Sequence, residues 1–198
     1  HEPFRFHQGD KLAVDAQDNV WLARAGTESV AWLDPMTGET GHVKFESIAF
    51  AGLTEKDRTV AVGMNNGPPN GKGPRRLGSG GRNGGNYMWV ALNKSDEVAK
   101  IDIRTKEVVE EYALPQGSAP YFTTVDKNGM VWIPAQNADR IYKLDPATEE
   151  LTEFQLPTRG TDLRHLTIDD STVPSSIWVT YNRSNKIARL QERPADSQ

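Results

Sequence analysis

At 198 residues the chain is long enough for one domain with a sizeable core and short for two. Its net charge of −4 gives no global attraction to nucleic acid or to an anionic membrane, no apolar run approaches the ~18 residues of a membrane span, and the absence of cysteine excludes disulfides, thiolate metal sites, a Cys nucleophile and haem held by paired cysteines. A 36% apolar content with 17 Gly, 12 Pro and four Met suits a turn-rich, all-strand protein, and no amphipathic helix stands out.

The chain opens with His1 in place of an initiator Met, so it reads as a processed mature form or a piece of something longer, and a periplasmic or extracellular location is expected. Residues 1–8 alternate around Phe4 and Phe6 and predict a short strand. Lys11 to Asp15 alternates again, Asp15 to Asn19 supplies a turn, and Val20 to Ala23 is an apolar run of strand length. Val30 to Asp34 is the next predicted strand. It is followed by the turn Asp34-Pro35-Met36-Thr37-Gly38-Glu39, where Pro sets φ, Asp and Thr bond nearby amides and Gly is free to take positive φ. His42 to Phe45 closes this first unit.

Four of the five tryptophans recur in one pattern. Trp21 is followed nine, twelve and thirteen residues later by Val30, Leu33 and Asp34, Trp89 by Val98, Ile101 and Asp102, and Trp132 by Ile141, Leu144 and Asp145. Trp178 is followed by Ile187 and Leu190, with Gln191 where the Asp would be. The third unit shows the plan most cleanly, with strands predicted at Tyr121 to Asp126, Met130 to Pro134, Arg140 to Asp145 and Leu151 to Leu156. The fourth runs Leu163 to Ile168, Ile177 to Tyr181 and Lys186 to Leu190, and lacks a clear outer strand before Arg193-Pro194.

Spacings between the equivalent tryptophans are 68, 43 and 46 residues. The longest accommodates a Gly- and Pro-rich stretch, residues 65–86, carrying Lys72, Arg75, Arg76 and Arg82 without an acid, which reads as a basic loop inserted in the second unit. A period near 43 with four strands per repeat predicts an all-β fold, a β-propeller with four blades of four-stranded antiparallel sheet, occupying residues 1–198 as a single domain. Each blade has two faces to bury, so each repeat Trp is expected against a neighbouring blade. Two closures stay open: a ring of four in which the Phe4 to Phe6 strand completes the last blade, or four blades of a larger ring.

At Asp126-Lys127-Asn128-Gly129-Met130-Val131-Trp132-Ile133, Arg140-Ile141-Tyr142-Lys143-Leu144-Asp145-Pro146 and Glu153-Phe154-Gln155-Leu156-Pro157 the chain resembles the streptogramin B (virginiamycin B) lyase family. More loosely, it is similar to NHL-repeat and SMP-30/gluconolactonase propellers. The resemblance implies a ring of about seven blades and, in lyase members, opening of a cyclic depsipeptide by elimination with a His, a Glu and a magnesium ion. The family's Glu lies three residues after the repeat Trp. Here those positions hold Arg24, Leu92, Ala135 and Tyr181, none acidic. The family's His follows a Pro at the start of a first strand. Its counterparts are Tyr121 after Pro120, and Arg164, with His165 one residue late.

His165 beside Arg164 is the candidate base near neutral pH, against a purely structural histidine. Arg24, Asn93, Gln136 and Asn182 fall three or four residues after each Trp, in loops joining second to third strands. On one face they would ring the channel mouth and suit a neutral or anionic ligand, with Tyr121 and Arg164 beside them. Asp15, Asp18, Asp126, Asp169 and Asp170 invite a calcium reading, but turn formation already accounts for them, and a copper site at His1 and His7 is the weaker alternative. No metal and no cofactor is expected. The reading is a module that binds a small-molecule ligand or a protein partner through its loop face and basic insertion. The alternative is a lyase or lactone hydrolase acting on a cyclic ester with His165 as base.

Overall fold

The computed structural model describes residues 11–23, 29–45, 64–66 and 85–193. Among them every regular element is a strand. The first sheet is β1 (Lys11–Val14), β2 (Val20–Ala23), β3 (Ser29–Leu33) and β4 (Thr40–Lys44), and the second is β5 (Met64–Asn66), β6 (Tyr87–Leu92), β7 (Glu97–Asp102) and β8 (Glu107–Ala113). The third is β9 (Thr124–Val125), β10 (Val131–Ala135), β11 (Arg140–Leu144) and β12 (Leu151–Gln155). The fourth has three strands, β13 (Leu163–Asp169), β14 (Ser176–Tyr181) and β15 (Lys186–Gln191). In every sheet, strands adjacent in sequence pair antiparallel, so each is a simple meander.

Local chemistry sets the hairpins. At the turn from third to fourth strand, a carboxylate oxygen of Asp34, Asp102 or Asp145 accepts the amide N–H two residues on, from Met36 (2.8 Å), Arg104 (2.7 Å) or Ala147 (2.8 Å). The residue four after each Asp takes positive φ: Gly38 at 75°, Lys106 at 60° and Glu149 at 61°. Only one of the three turns uses glycine there. The side-chain bonds hold the others in the left-handed region despite their Cβ.

The repeat tryptophans join one sheet to the next. Trp21 packs among Met88, Val90 and Ile101 of the second sheet, Trp89 among Val125, Val131 and Tyr142 of the third, and Trp132 among Leu163, Ile177 and Val179 of the fourth. All three are buried, whereas Trp178 in the fourth sheet is 42% exposed. A cation sits over each ring: Lys106 on Trp21, Lys100 on Trp89, Lys143 on Trp132 and Arg189 on Trp178. The fifth tryptophan, Trp32, lies against Gly41 of β4, where a Cβ would stand 2.7 Å from the indole.

Three boundaries differ from expectation or fall outside the described residues. The first strand of the third unit is only Thr124–Val125, with an isolated bridge between Pro120 and Ala135. Between them the Thr123 hydroxyl donates to the Trp89 carbonyl of the preceding sheet, 3.0 Å away. Asn65 and Asn66 of the anticipated basic loop are strand, opposite Trp89 and Met88. Residues 67–84, which connect β5 to β6 and carry all four basic side chains, lie outside the described residues, as do Phe4, Phe6 and Arg24.

Candidate functional site

Because each sheet is a meander, the links between its strands alternate between two ends. The turns from second to third strand begin at Asn93, Gln136 and Asn182, and they share one end with the crossovers that carry the chain from one sheet to the next. The turns from first to second strand lie at the opposite end. Asn93, Gln136 and Asn182 of the expected loop face therefore lie at the end away from those turns, and the basic insertion expected to bind a partner with them falls outside the described residues.

At the first end the crossovers are tied down by two aspartates that are not among the candidate residues above. Asp96 and Asp139, each seven residues after a repeat Trp, have φ of 57° and 51°. The Asp96 carboxylate accepts the amides of Gly117 (2.7 Å) and Ala119 (2.6 Å). That of Asp139 accepts those of Gly160 (2.8 Å) and Thr161 (2.7 Å) together with the Thr161 hydroxyl. Their carbonyls accept from Leu114 (2.8 Å) and Leu156 (3.0 Å). Burial raises the Asp139 pKa, but the donors from Thr161 and Gly160 outweigh it and hold the carboxyl below its ordinary value.

These latches present a polar chain across three sheets. Asn93 donates to the Pro120 carbonyl (3.1 Å) and to the Gln136 side-chain oxygen (3.3 Å). Gln136 donates in turn to Asp162 (2.9 Å). Asp162 is buried and also accepts from Asn182 (2.8 Å) and Arg164 (3.2 Å), with Arg183 at 3.8 Å. Burial pushes this carboxyl up in pKa, while Asn182, Gln136 and Arg164 more than compensate and hold it below the ordinary value. Four of the predicted residues, Asn93, Gln136, Arg164 and Asn182, thus belong to one network organised by Asp162. Nothing in the repeat pattern singles out that aspartate, because it lies in a crossover with no repeat Trp to mark it.

Tyr121 and His165 lie beside the network. The Arg164 guanidinium is 5.5 Å from the Tyr121 ring centre. His165 stands edge-on to Tyr121 (5.6 Å, 85°) and contacts Phe122 (5.1 Å, 64°). A β-bulge between Leu163 and Leu166 absorbs an extra residue at this point, since Leu163 pairs with Tyr181 and Leu166 with Val179. Leu92, Ala135 and Tyr181, each three residues after its repeat Trp, are buried.

At the opposite end, Asp15 and Asp126 serve the fold: each accepts the indole N–H of its own repeat Trp and caps its turn. Asp169 bonds Ser171 instead. Among the described residues no group of three or more His, Asp or Glu is placed to hold a metal ion, and His1 and His7 lie outside those residues. Two cavities lie away from the Asp162 network. One, of about 220 Å³, is lined by Glu110, Glu111, Tyr112 and Glu149; burial, then the charges of Glu110 and Glu149, push the Tyr112 hydroxyl up to about 12. The other, of about 380 Å³, lies at Lys100, Asn128, Met130 and Asp145.

A family model described as a repeat of unknown function (DUF6923) matches residues 53–164. No curated protein matches the sequence. Among solved structures, virginiamycin B lyase from Staphylococcus aureus is similar at 16% identity and a TM-score of 0.65, over 93% of this chain and 55% of that one. A catalytically inactive variant of that lyase with quinupristin aligns at 16% identity and a TM-score of 0.67, over 98% and 59%. The WD40 β-propeller domain of Doa1 aligns at 11% identity and a TM-score of 0.60, over 93% and 50%. The likeness establishes a β-propeller with four visible blades. The chain spans little more than half the length of the structures it matches.

Proposed function

The chain belongs to the DUF6923 family, a repeat of unknown function, and from that premise we propose that it is a non-catalytic propeller module that binds an acidic partner segment at the Asp162 mouth. The observation that carries the reading is the pairing of two guanidiniums with one buried carboxylate. Arg164 and Arg183 both lean on Asp162, and Arg183 remains 76% exposed. At Asp162 two cations meet one negative charge, and the exposed guanidinium of Arg183 stands beside the linked amides of Asn182, Gln136 and Asn93. Guanidiniums present paired donors that match carboxylate geometry. A small carboxylate ligand presents the same chemistry, and a periplasmic or extracellular location is part of the proposal.

Isothermal titration with a Glu-rich peptide and a Lys-rich peptide of equal length tests it. The acidic peptide is expected to bind, more weakly as salt rises, and the double variant Arg164→Ala/Arg183→Ala to lose at least tenfold in affinity. Binding of neither peptide, or binding indifferent to the two arginines, would overturn the reading.

The bulge at Arg164 and His165 supports a second reading, because bulges re-aim side chains beside reactive sites. In it, His165 acts as base on a cyclic ester. Turnover of a cyclic depsipeptide that His165→Ala abolishes is the expected result, and turnover unchanged by that substitution would remove this reading.

A further inference from the structure

The cavity of about 220 Å³ between the second and third blades is walled by Glu110, Glu111 and Tyr112 of β8 and by Leu144, Glu149 and Leu151 across from them. Tyr112 is only 9% exposed, and among the described residues its hydroxyl has no hydrogen-bond partner. Burial, then the charges of Glu110 and Glu149, hold the proton on that hydroxyl, so it faces the cavity those carboxylates line. Packing does not call for it. Phe154 takes the same place in the third blade: it lies opposite Ile141 as Tyr112 lies opposite Val98, and it rests on Trp132 at 5.5 Å as Tyr112 rests on Trp89 at 5.7 Å. The charges differ too. Glu153, next to Phe154, is paired with Arg140, whereas the position of Arg140 in the second blade holds Glu97, a buried carboxylate. Lys100, opposite Glu110, keeps its ammonium over the Tyr87 ring at 4.4 Å, and no ion pair joins Glu110 or Glu149 to a described cation.

We propose that this cavity binds a primary ammonium on a short aliphatic stem, the ammonium donating to the Tyr112 phenol oxygen and to the carboxylates of Glu110 and Glu149. The stem lies along Leu144 and Leu151. An alkylammonium has three N–H donors and no acceptor, which suits one neutral oxygen flanked by carboxylates, and its methylenes suit the leucine wall. A bare metal ion does not meet the same geometry, because among the described residues no three carboxylate or imidazole side chains are placed to hold one. A ligand that carries its own N–H donors reaches groups spread over a cavity wall. The site is separate from the Asp162 mouth and opposite to it in the charge it selects.

Isothermal titration of the full 198-residue chain at neutral pH and low salt tests the proposal with three probes. Butylamine and N-acetyl-lysine amide present the same ammonium as a free amine and as a lysine side chain, and 1-butanol presents the stem without the charge. At least one amine is expected to bind, more weakly as salt rises, and the tighter of the two tells which source the site takes. The alcohol is expected not to bind. Tyr112→Phe, a side chain that Phe154 shows this place accepts, is expected to lose about fivefold in affinity, and the double variant Glu110→Gln/Glu149→Gln at least ~tenfold, with circular dichroism unchanged in both. Binding of neither amine, binding of 1-butanol as tight as that of butylamine, or an affinity that Tyr112→Phe leaves unmoved would overturn the proposal.

Discussion

Trp132 donates its indole N–H to the buried carboxylate of Asp126, 2.9 Å away, across a turn whose amides the same carboxylate also caps. Trp21 and Asp15 repeat the arrangement at 2.7 Å. The spacing of six residues lets one aspartate close a hairpin and satisfy the polar edge of an indole that has to be buried between blades. In the fourth blade the turn is three residues longer, Asp169 lies nine before Trp178, and it bonds Ser171 instead.

Asp126→Ala leaves a buried indole N–H and two turn amides without their acceptor, and is expected to cost about 3 kcal/mol. Asp169→Ala removes contacts exposed to solvent and is expected to cost under about 1 kcal/mol. Urea denaturation of the two variants beside wild type checks the contrast. Equal losses would mean that the Asp126 bond to Trp132 contributes nothing special.

The tryptophans themselves are predicted to be unequal. Truncating Trp89 or Trp132 to Ala opens a cavity inside a closed junction and is expected to cost ~3 to 5 kcal/mol. Trp178 has already left 42% of its surface in water in a single chain, so Trp178→Ala is expected to cost well under half as much. Urea denaturation of the three variants beside wild type makes the comparison, and a Trp178→Ala variant as damaged as Trp132→Ala would overturn the ranking.

The architecture was legible in the sequence because the tryptophans, the Asp turns and the apolar residues nine and twelve positions after each Trp all mark packing, and packing repeats from blade to blade. Gln136 and Asn182 were legible as a pair for the same reason, by their offset from Trp132 and Trp178. Asp162 was not, since it belongs to a crossover and gains its role only when three separate loops converge on it. Asp96 and Asp139 carried a signal, an Asp seven residues after the repeat Trp in two successive units, but it lay in loops read only for polarity. The division of loops between two ends follows from strand alternation alone. It places Asn93, Gln136 and Asn182 at one end of the strands and the Asp15 and Asp126 turns at the other.

Asp96 and Asp139 fasten each crossover to the preceding turn, so the loss of one is expected to be felt locally before it is felt globally. Asp96→Ala should raise amide hydrogen exchange at Gly117 and Ala119, its direct partners, by at least tenfold, and leave Gly160 and Thr161 near wild-type rates. Asp139→Ala should do the reverse. Uniform acceleration at both crossovers in either variant would mean that the latches act on the whole fold and do not hold their own loops.

Acid should loosen the same end of the molecule. The carboxyls of Asp139 and Asp162 both titrate below their ordinary value of 3.8 in the folded chain. A carboxyl whose folded pKa is depressed binds its proton more readily when unfolded. Its contribution to stability is present above the unfolded pKa and is lost as pH falls through the folded one. Stability is therefore expected to be flat from about pH 7 to about pH 5 and to fall between about pH 4 and pH 2. In Asp162→Asn the fall should be shallower from a lower starting stability, because the amide can accept from Gln136 or Asn182 but offers Arg164 no charge. Urea midpoints measured across that range decide the matter. A variant whose pH slope matches wild type would show that Asp162 does not carry the acid sensitivity and that its arginine pair is too solvated to depress its pKa.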